Sequence, residues 1–485
     1  MNKLKSLLFQ NRNIRQTVAK NVFWLSFSQI GSRLIRAIII IYAARALGAA
    51  DYGIFSYALG LAGFFTIFSD IGISQILTRE MVQKQGQKDR YFSTAFWIKI
   101  FILAITVLLI IFAAPYFSKL EAAKNLMVFI ALIVIFDGLR EFSLASFRAF
   151  EKMEFEALIS ILTNIAITTF GLIALYFAPT SKSLTLAYAF STMIGFFVGF
   201  IILREHFKKI LNCFDKSLIK PILYSAYPIA LLSFFGAFML NTDMIMLGWW
   251  KTPKEIGYYS AGQKIIQLLY TLPAILATSI FPSMSRFVNN QENERVKNLM
   301  KKGMVIIFSI AMPVFLGGVI LAKPIIGLLY GKEYLPATLS FQILLFTPFF
   351  IFPQILLGNF ILAHNRQKEL KFPVGLGAIS NIILNVLLIP PYGIVGCSIA
   401  TVIAQFLNTS LTWRIAKKIN DFFSFRQLSK AIIAAIIMGV IAFILNESNI
   451  NVIINIIISA GIYFGTLYLL KEKILEEILT ILKIK

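Results

Sequence analysis

Charged side chains are scarce in this sequence. Of its 485 residues, only 14% are Asp, Glu, Lys or Arg, whereas 58% are hydrophobic. Such a composition excludes a soluble multidomain protein, because the water-exposed surface of a soluble chain of this size needs far more charge. The sequence therefore predicts a polytopic membrane protein.

Cysteine, histidine and acidic residues are also few. The two cysteines, Cys213 and Cys397, cannot form a disulfide framework, and the two histidines, His206 and His364, cannot form a metal-binding cluster. The 23 acidic residues face 46 basic ones, which gives a net charge of +23. Because the basic residues lie in short segments between apolar runs, we interpret them as a topology signal and expect no nucleic-acid partner.

Apolar runs long enough to cross a bilayer alternate with short polar breaks along the chain. A helix needs about 20 residues to cross, at a rise of about 1.5 Å per residue. We therefore predict about 14 transmembrane helices. The spans lie at roughly 20–47, 54–78, 92–117, 125–147, 156–178, 184–203, 221–250, 258–282, 303–322, 337–362, 372–389, 394–413, 430–446 and 451–470.

The distribution of Lys and Arg orients these spans. With the N-terminus inside, the inner segments hold 34 of the 46 basic residues and the outer connections hold eight, when Arg140 and the residues at span ends are counted with the adjoining connections. The other four, Arg33, Arg36, Lys99 and Lys264, lie within spans. Because cytoplasmic connections are enriched in Lys and Arg, this bias predicts an inner (plasma) membrane protein with both termini cytoplasmic. The first 20 residues contain no short apolar core before a cleavage site, so we interpret them as a cytoplasmic lead-in rather than a signal peptide.

A short internal repeat divides the spans into two groups of six. The segments ADYGIFSYA (50–58) and KEIGYYSAG (254–262) share an acidic-x-Gly-x-aromatic-Ser pattern and follow spans one and seven. We therefore predict an all-α fold of two six-helix lobes plus an extra C-terminal helical pair. The predicted parts are an N-lobe at 1–210 (spans 1–6), a C-lobe at 211–420 (spans 7–12), and spans 13–14 with an amphipathic tail at 421–485.

Polar residues recur on one face of the first span. Gln29, Arg33 and Arg36 are spaced at four and three, and the other faces are aliphatic. An arginine in the middle of a span is costly and faces a water-filled cavity, a partner charge or a substrate. Because the guanidinium fork suits phosphate, we predict that Arg33 and Arg36 bind an anionic substrate. A structural ion-pair network with acids from spans two and four is the alternative.

Further charges extend this candidate substrate site. Asp70 in span two and Lys99 in span three lie at similar predicted depth, so they contribute to the site or pair with each other. Arg140 in span four binds substrate or neutralises the acids beside it on the same helix. Lys264 in span eight contacts sugar or phosphate, or extends to the outer interface.

Five segments occur in a fixed order along these spans. Together they resemble the polysaccharide flippase family, the Wzx-like branch (O-antigen and oligosaccharide-lipid flippases) of the multidrug/oligosaccharidyl-lipid/polysaccharide exporter superfamily. The segments are RALGAADYGIFSYAL (45–59), DIGISQILTRE (70–80), RAFEKMEFEA (148–157), IGYYSAGQKI (256–265) and PPYGIVGCSIAT (390–401).

The resemblance implies a non-enzymatic flippase. Such a protein moves a polyprenyl diphosphate-linked oligosaccharide from the cytoplasmic to the outer leaflet by alternating access, coupled to a cation or to the membrane potential. It implies no cofactor beyond a coupling ion, Na⁺ or H⁺. The implied partners are the lipid diphosphate-linked glycan, membrane lipids and glycan-assembly enzymes, and the chain itself is expected to be a monomer. A cation-coupled multidrug exporter of the same fold is the alternative, and it would favour an acid-lined pocket in the N-lobe.

A second group of polar residues occurs in the predicted C-lobe. Asp243, the pair Asn381 and Asn385, and Thr401 lie at matching depths in spans seven, eleven and twelve. Their oxygens could replace the water of a hard cation, or they could form hydrogen bonds between helices. The spacing also resembles the sodium site of the related lipid II flippases, which implies a further ligand in the backbone carbonyl of Cys397. Where that pattern has a second acid, this chain has Asn385, which lowers the negative charge of the site.

Overall fold

The computed structural model describes residues 14–422 and 428–470. These residues are almost entirely helical, and no strand occurs among them. The predicted all-α membrane fold is confirmed. The predicted amphipathic tail after residue 470 lies outside the described residues.

Long helices dominate the chain. The α-helices are, in order, α1 (Ile14–Phe65), α2 (Ile67–Asp70), α3 (Ile73–Gln83), α4 (Lys88–Leu108), α5 (Glu121–Lys124), α6 (Met127–Ala149), α7 (Met153–Phe177), α8 (Ser181–Ile202), α9 (Arg204–Lys208), α10 (Ile219–Trp250), α11 (Pro253–Leu269), α12 (Thr271–Asn289), α13 (Asn293–Ile320), α14 (Ala322–Tyr330), α15 (Thr338–Leu344), α16 (Pro348–Ala363), α17 (Lys371–Ile419), α18 (Ser429–Glu447) and α19 (Val452–Leu469). Shorter helical pieces are the 3₁₀ turns Gln85–Gln87, Ala114–Phe117, Lys216–Leu218, Lys332–Ala337 and Gln367–Leu370, and a π-helical turn at Leu109–Ala113.

Two of the longest helices are broken at a glycine. In α1 the break lies at Gly48 (φ 69°), and in α17 it lies at Gly393 (φ 57°). Both values lie in the left-handed region that glycine adopts without a steric cost. Each break falls between two predicted spans, the first and second in α1 and the eleventh and twelfth in α17.

The second predicted span is not one continuous helix. It is interrupted between α2 and α3, where Ile71 has φ 37° and Gly72 has φ 82°. The side chain of Asp70 accepts a hydrogen bond from the Ser74 hydroxyl at 2.5 Å, in the first turn of α3. This places an acidic side chain at a helix start, where the exposed backbone N–H groups favour negative charge.

Nine helical stretches among the described residues are long and apolar enough to cross a membrane, or up to 11 when each bent pair counts as one span. Some of these stretches contain two predicted spans each, as Gln367–Ile419 does. The helix α6 is not among them, because Asp137, Arg140 and Glu141 lie close together within it. The predicted total of 14 spans stays a prediction.

The chain divides into two compact units, and the first, unit 1, is Met1–Ser260. In this unit α1 packs along α7, and α8 packs against both α6 and α7. The two copies of the sequence repeat also meet here. A Cβ on Gly53 would lie 1.8 Å from the carbonyl oxygen of Pro253, and one on Gly257 would lie 2.0 Å from that of Ala49. The repeated glycine therefore permits close backbone approach in both copies.

The second unit, unit 2, is Ala261–Lys485. Its main core lies between α12, α13 and α16, where Met300, Met304 and Phe360 are fully buried. The pair α18 and α19 packs together, and α18 also contacts α13. The predicted lobes at 1–210 and 211–420 are a different division, based on span number, and they stay a prediction.

Candidate functional site

The polar face of α1 lines a cavity of about 370 Å³ in unit 1. Because α1 packs along α7 and α6 contributes the adjoining wall, three helices supply its polar groups. We call it the arginine cavity. Its charged and amide-bearing lining residues are Gln29, Arg33, Arg36, Arg140, Glu141, Arg148, Glu156 and Asn164.

Arg36 is held by a neutral partner. Its Nε donates to the side-chain oxygen of Asn164 at 2.9 Å, and the amide nitrogen of Asn164 donates to the Ser160 carbonyl at 2.7 Å. Thr168, one turn further along α7, donates to the backbone of α1 at Ile35. Arg36 makes no ion pair within the part of the chain that the structure describes, so its charge remains available to a ligand.

Arg140 is neutralised on its own helix. Its Nη2 lies 2.6 Å from Asp137 Oδ1 and 3.3 Å from Glu141 Oε1, and the arginine is buried. The sequence-based alternative of a local ion pair is therefore correct for Arg140. The residue still lines the arginine cavity, where it presents a paired rather than an isolated charge.

A bidentate ion pair, Arg148–Glu156, also lines the arginine cavity. Arg148 donates from Nη2 and Nε to the buried carboxylate of Glu156, at 2.6 to 3.0 Å. This pair joins the end of α6 to the start of α7, and both residues lie in the RAFEKMEFEA segment. That segment carries the family resemblance, but the place of Arg148 and Glu156 in the site was not predicted from the sequence. Nor was that of Asn164, although it lies one helical turn from Thr168 in span five.

A second cavity of about 540 Å³ in unit 1 shares three residues with the first, namely Arg36, Glu141 and Arg148. We call it the mixed cavity. Its other polar lining residues are Thr66, Ser69, Asp70, Ser74, Gln75, Lys99 and Asp137.

Asp70 and Lys99 pair inside the mixed cavity. The Lys99 ammonium donates to Asp70 Oδ1 at 2.7 Å, and the lysine side chain is 1% exposed while the aspartate is 29% exposed. Of the two alternatives stated from the sequence, pairing is what the structure shows. The aspartate oxygens nevertheless face the cavity and keep lone pairs that could accept a further hydrogen bond.

The two cavities differ in formal charge. The arginine cavity is lined by four arginines and two glutamates, which gives +2. The mixed cavity is lined by Arg36, Lys99 and Arg148 and by three acids, which gives zero. Arg140 is paired with Asp137, which lies outside the lining of the arginine cavity, so the charge that a ligand meets is smaller than +2 but still positive, and it favours an anionic ligand.

Lys264 belongs to unit 2 and is not among the residues that line either cavity. Its ammonium lies 3.4 Å from Gln267 Oε1, one turn further along α11. Both alternatives stated for Lys264 stay predictions.

The residues of the predicted cation site are distributed over both units. Asp243 in unit 1 is buried and accepts a hydrogen bond from the Tyr259 hydroxyl at 2.6 Å. The other four lie in α17 of unit 2, where Asn385 donates to Asn381 at 3.2 Å and Thr401 donates to the Cys397 carbonyl at 3.0 Å. These oxygens are suitable ligands for a hard cation, and the site stays a prediction.

A charged cluster at the predicted cytoplasmic side lies outside the spans. Asp89 accepts a hydrogen bond from Lys209 at 2.8 Å, and His206 Nδ1 lies 2.9 Å from its other oxygen. The hydrogen bond from Lys209, assisted by His206, lowers the pKa of Asp89 against the opposing effect of partial burial. His206 is also stacked on Phe150, with ring centroids 4.5 Å apart.

Solved structures of transporters share this fold. The chain is similar to the lipid II flippase MurJ in its inward closed conformation, with a TM-score of 0.79, 18% identity, and coverage of 93% of this chain and 99% of that one. It is also similar to the multidrug transporter DinF-BH, with a TM-score of 0.60, 14% identity, and coverage of 86% and 99%. Identities this low indicate a common fold only.

Sequence comparisons identify the family. Relatives include the "Probable low-salt glycan biosynthesis flippase Agl15" of Haloferax volcanii, 22% identical over 88% of this chain and 89% of that protein. Another is the capsular polysaccharide biosynthesis protein CapF of Staphylococcus aureus, 23% identical over 80% and 97%. Residues 228–390 match the MatE family, and residues 18–288 match the family described as Polysaccharide biosynthesis protein. Because the latter match covers more than half of the chain, the protein belongs to the polysaccharide biosynthesis protein family, and the resemblance found in its sequence is confirmed.

Proposed function

We propose that this protein is a flippase for lipid-linked oligosaccharides. The observation that supports this most directly is the arginine cavity, which places a formal +2 among helices of a multi-pass membrane protein. The diphosphate of a polyprenyl diphosphate-linked glycan needs compensating charge as it crosses the low-dielectric region, and arginine offers it in a bidentate geometry. Relatives named as glycan biosynthesis flippases support the same substrate class.

Transport rather than catalysis is the activity. The family is one of flippases and transporters, and the chain is not an enzyme. We propose alternating access as the mechanism, with the arginine cavity receiving the diphosphate at the cytoplasmic leaflet and releasing it at the outer one. Arg33 and Arg36 are the proposed primary phosphate contacts. Arg36 is exposed to the cavity and Arg33 is half-buried.

The cation-coupled multidrug exporter is less well supported. Such a pump takes up cationic compounds and favours an acidic pocket, whereas the arginine cavity of this chain has twice as many arginines as acids. The structural likeness to DinF-BH shows the shared fold and does not discriminate between the two substrates.

The remaining features of the cycle are proposals of the same kind. We propose coupling to Na⁺ or H⁺, with Asp243, Asn381, Asn385, Cys397 and Thr401 as ligands, or coupling to the membrane potential. The proposed location is the plasma membrane, with both termini cytoplasmic, and the proposed working form is a monomer that receives its substrate from glycan-assembly enzymes. The distribution of Lys and Arg supports the orientation.

A flipping assay tests the proposal. Purified protein in liposomes with a polyprenyl diphosphate-linked oligosaccharide should expose the sugar to an added lectin faster than protein-free liposomes do, under at least one ion gradient or potential. Arg36→Ala should slow this exposure by about tenfold or more, because a charge-assisted contact to phosphate contributes about 1.5–3 kcal/mol. The matched control is Arg366→Ala in unit 2, which removes an arginine that pairs with Glu369 outside both cavities.

Two results would contradict the proposal. One is the absence of protein-dependent exposure with the wild-type chain under every gradient. The other is unchanged flipping by a folded Arg36→Ala variant, which would remove the arginine cavity from the transport path.

A further inference from the structure

The two cavities of unit 1 adjoin each other, because Arg36, Glu141 and Arg148 line both. They are nevertheless chemically different. The arginine cavity has a formal charge of +2, while the mixed cavity is formally neutral and the larger of the two, at about 540 Å³ against 370 Å³. A single ligand that occupies both would have a charged part and an adjoining neutral part.

The charges of the mixed cavity are largely compensated within the protein. Lys99 pairs with Asp70 at 2.7 Å, and Asp137 pairs with Arg140 at 2.6 Å. Because its formal charge is zero, this cavity offers a phosphate no net electrostatic attraction. A hydroxyl would meet the carboxylate oxygens as hydrogen-bond acceptors, since an ionised carboxylate has about four acceptor positions and an ion pair uses only some of them.

Neutral polar groups complete one wall of the mixed cavity. Gln75 is exposed to the cavity, and with its amide nitrogen towards Asp70 it donates to Asp70 Oδ2 at 3.3 Å and to the Gly72 carbonyl at 3.2 Å. Its amide oxygen is then free to accept a hydrogen bond. Thr66 and Ser69 also line this cavity, and their hydroxyls donate to backbone carbonyls three residues earlier, so their oxygens can still accept a hydrogen bond.

Aliphatic residues also line the mixed cavity, namely Leu59, Ile130, Ile133 and Val134. The cavity therefore combines apolar surface with a small number of polar groups. A pyranose ring has a matching composition, with C–H groups on its faces and hydroxyls around its rim.

We propose that the mixed cavity is the binding subsite for the sugar that follows the diphosphate, and that Asp70 and Gln75 form hydrogen bonds with the hydroxyls of this sugar. This inference rests on the proposed flippase function and deepens it. The arginine cavity binds the diphosphate, and the shared residues Arg36 and Arg148 lie at the junction between phosphate and sugar. The chain therefore selects its substrate partly by the first sugar and not only by the charged head group.

The test measures the sugar's contribution to binding separately from that of the diphosphate. The probes are polyprenyl diphosphate and the same lipid carrying one N-acetylglucosamine, each titrated against the full chain in detergent. Wild type should bind the glycosylated lipid more tightly. Gln75→Leu should reduce this preference by about three- to tenfold, the equivalent of one hydrogen bond, and should change the Kd of the bare lipid by less than about twofold.

Gln29→Leu is the matched control, because Gln29 is an exposed glutamine that lines only the arginine cavity. It should leave the preference for the glycosylated lipid unchanged. If Gln75→Leu does not fold, Thr66→Val takes its place as the test variant. It replaces a hydroxyl that lines the mixed cavity with a methyl group of similar size. It should reduce the preference for the glycosylated lipid by at least about twofold.

The outcomes separate the inference from the function on which it rests. Equal binding of both lipids by wild type, or an unchanged preference in folded Gln75→Leu, overturns the sugar subsite and leaves the flippase function standing. If wild type binds neither lipid and does not bind inorganic diphosphate, both the sugar subsite and the flippase function are overturned. A reduced preference in Gln75→Leu together with an unchanged one in Gln29→Leu supports the subsite.

Discussion

The interiors of the two units are stabilised by different chemistry. Among the residues whose burial the structure describes, the buried charged side chains are Lys20, Lys99, Arg140, Glu156 and Asp243, and all of them lie in unit 1. Unit 2 contains a cavity of about 430 Å³ whose lining is almost entirely aliphatic and aromatic. Its polar lining residues are Ser309, Ser459 and Tyr463.

Buried polar groups in unit 2 are joined by neutral hydrogen bonds. Ser340 and Ser398 are 2.6 Å apart, and Tyr463 donates to the carbonyl of Ser309 at 2.7 Å. Gln354 donates to Thr412 at 3.1 Å. Such bonds satisfy buried groups at a low desolvation cost, so they suit an interior that serves as scaffold.

This difference between the units shows that buried ion pairs, whose desolvation is costly, are retained in unit 1. A buried ion pair often stabilises a protein no more than well-packed apolar residues of the same volume would. Unit 1 nonetheless keeps several, and three of them, Asp70–Lys99, Asp137–Arg140 and Arg148–Glu156, contribute residues to the lining of the two cavities. This concentration fits the proposed function, in which the charges that line the cavities meet an anionic ligand.

The test with the largest expected effect compares two variants, each of which removes one side chain of a buried polar interaction, one in unit 1 and one in unit 2. Lys99→Met in unit 1 should lower the free energy of unfolding by about 3 kcal/mol, since it leaves the Asp70 charge without its partner. This expected loss lies at the low end of the range usual for breaking a buried ion pair, because the Asp70 side chain is 29% exposed. Gln354→Met in unit 2 should cost only about 1 kcal/mol, because it removes neutral hydrogen bonds. Denaturant titrations of both variants in detergent give the two values, and equal losses would contradict the distinction between the units.

A second test raises the charge of the arginine cavity. Glu156→Gln removes the acid that pairs with Arg148 and changes the formal charge from +2 to +3. The Kd for inorganic diphosphate should fall about fivefold at low ionic strength, and the gain should shrink as salt is added. Glu154→Gln is the control, because it breaks the Lys20–Glu154 pair between α1 and α7 and lines neither cavity. A similar change in both variants would mean that the effect is not local to the cavity.

The smallest effect is expected at the charged cluster of Asp89, His206 and Lys209, whose side chains are partly exposed. The pKa of Asp89 is lowered in the folded protein, so its stabilisation is fully present above the unfolded pKa and is lost as the pH falls through the folded value. Asp89→Asn should cost about 0.5 kcal/mol at pH 7. The difference in thermal midpoint from wild type should stay constant down to pH 5 and close below about pH 4. A change centred above pH 5 would contradict the assignment of the effect to Asp89.

Much of the candidate site follows from the sequence because it depends on spacing along single helices. The spacing of Gln29, Arg33 and Arg36 predicts one shared face, and the structure places all three in one cavity. The proximity of Arg140 to its acidic neighbours predicts its neutralisation, which the structure also shows. Helical periodicity is a local property, so no knowledge of the tertiary fold is needed for these predictions.

Contacts between helices could not be predicted in the same way. Asn164 lies 128 positions from Arg36 in sequence, and only the packing of α1 along α7 makes it the partner of that arginine. The break between α2 and α3 was missed because apolar composition continues through it, although Gly72 after Asp70 was a local signal. The Arg148–Glu156 pair depends on the reversal between α6 and α7, which composition does not specify.

The two ways in which charges pair in unit 1 have different consequences for the synthesis of the chain. Arg140 and Asp137 are three residues apart on α6, so they can neutralise each other as soon as that helix forms. Lys99 pairs with Asp70 on a separate helix, and a lone lysine within a span opposes the insertion of a nascent segment, by up to about 2.5–3.5 kcal/mol at a helix centre. Because Asp70 is synthesised first, it is already present when Lys99 leaves the ribosome. The second and third spans would therefore enter the bilayer as one hairpin, whereas α6 can be inserted on its own.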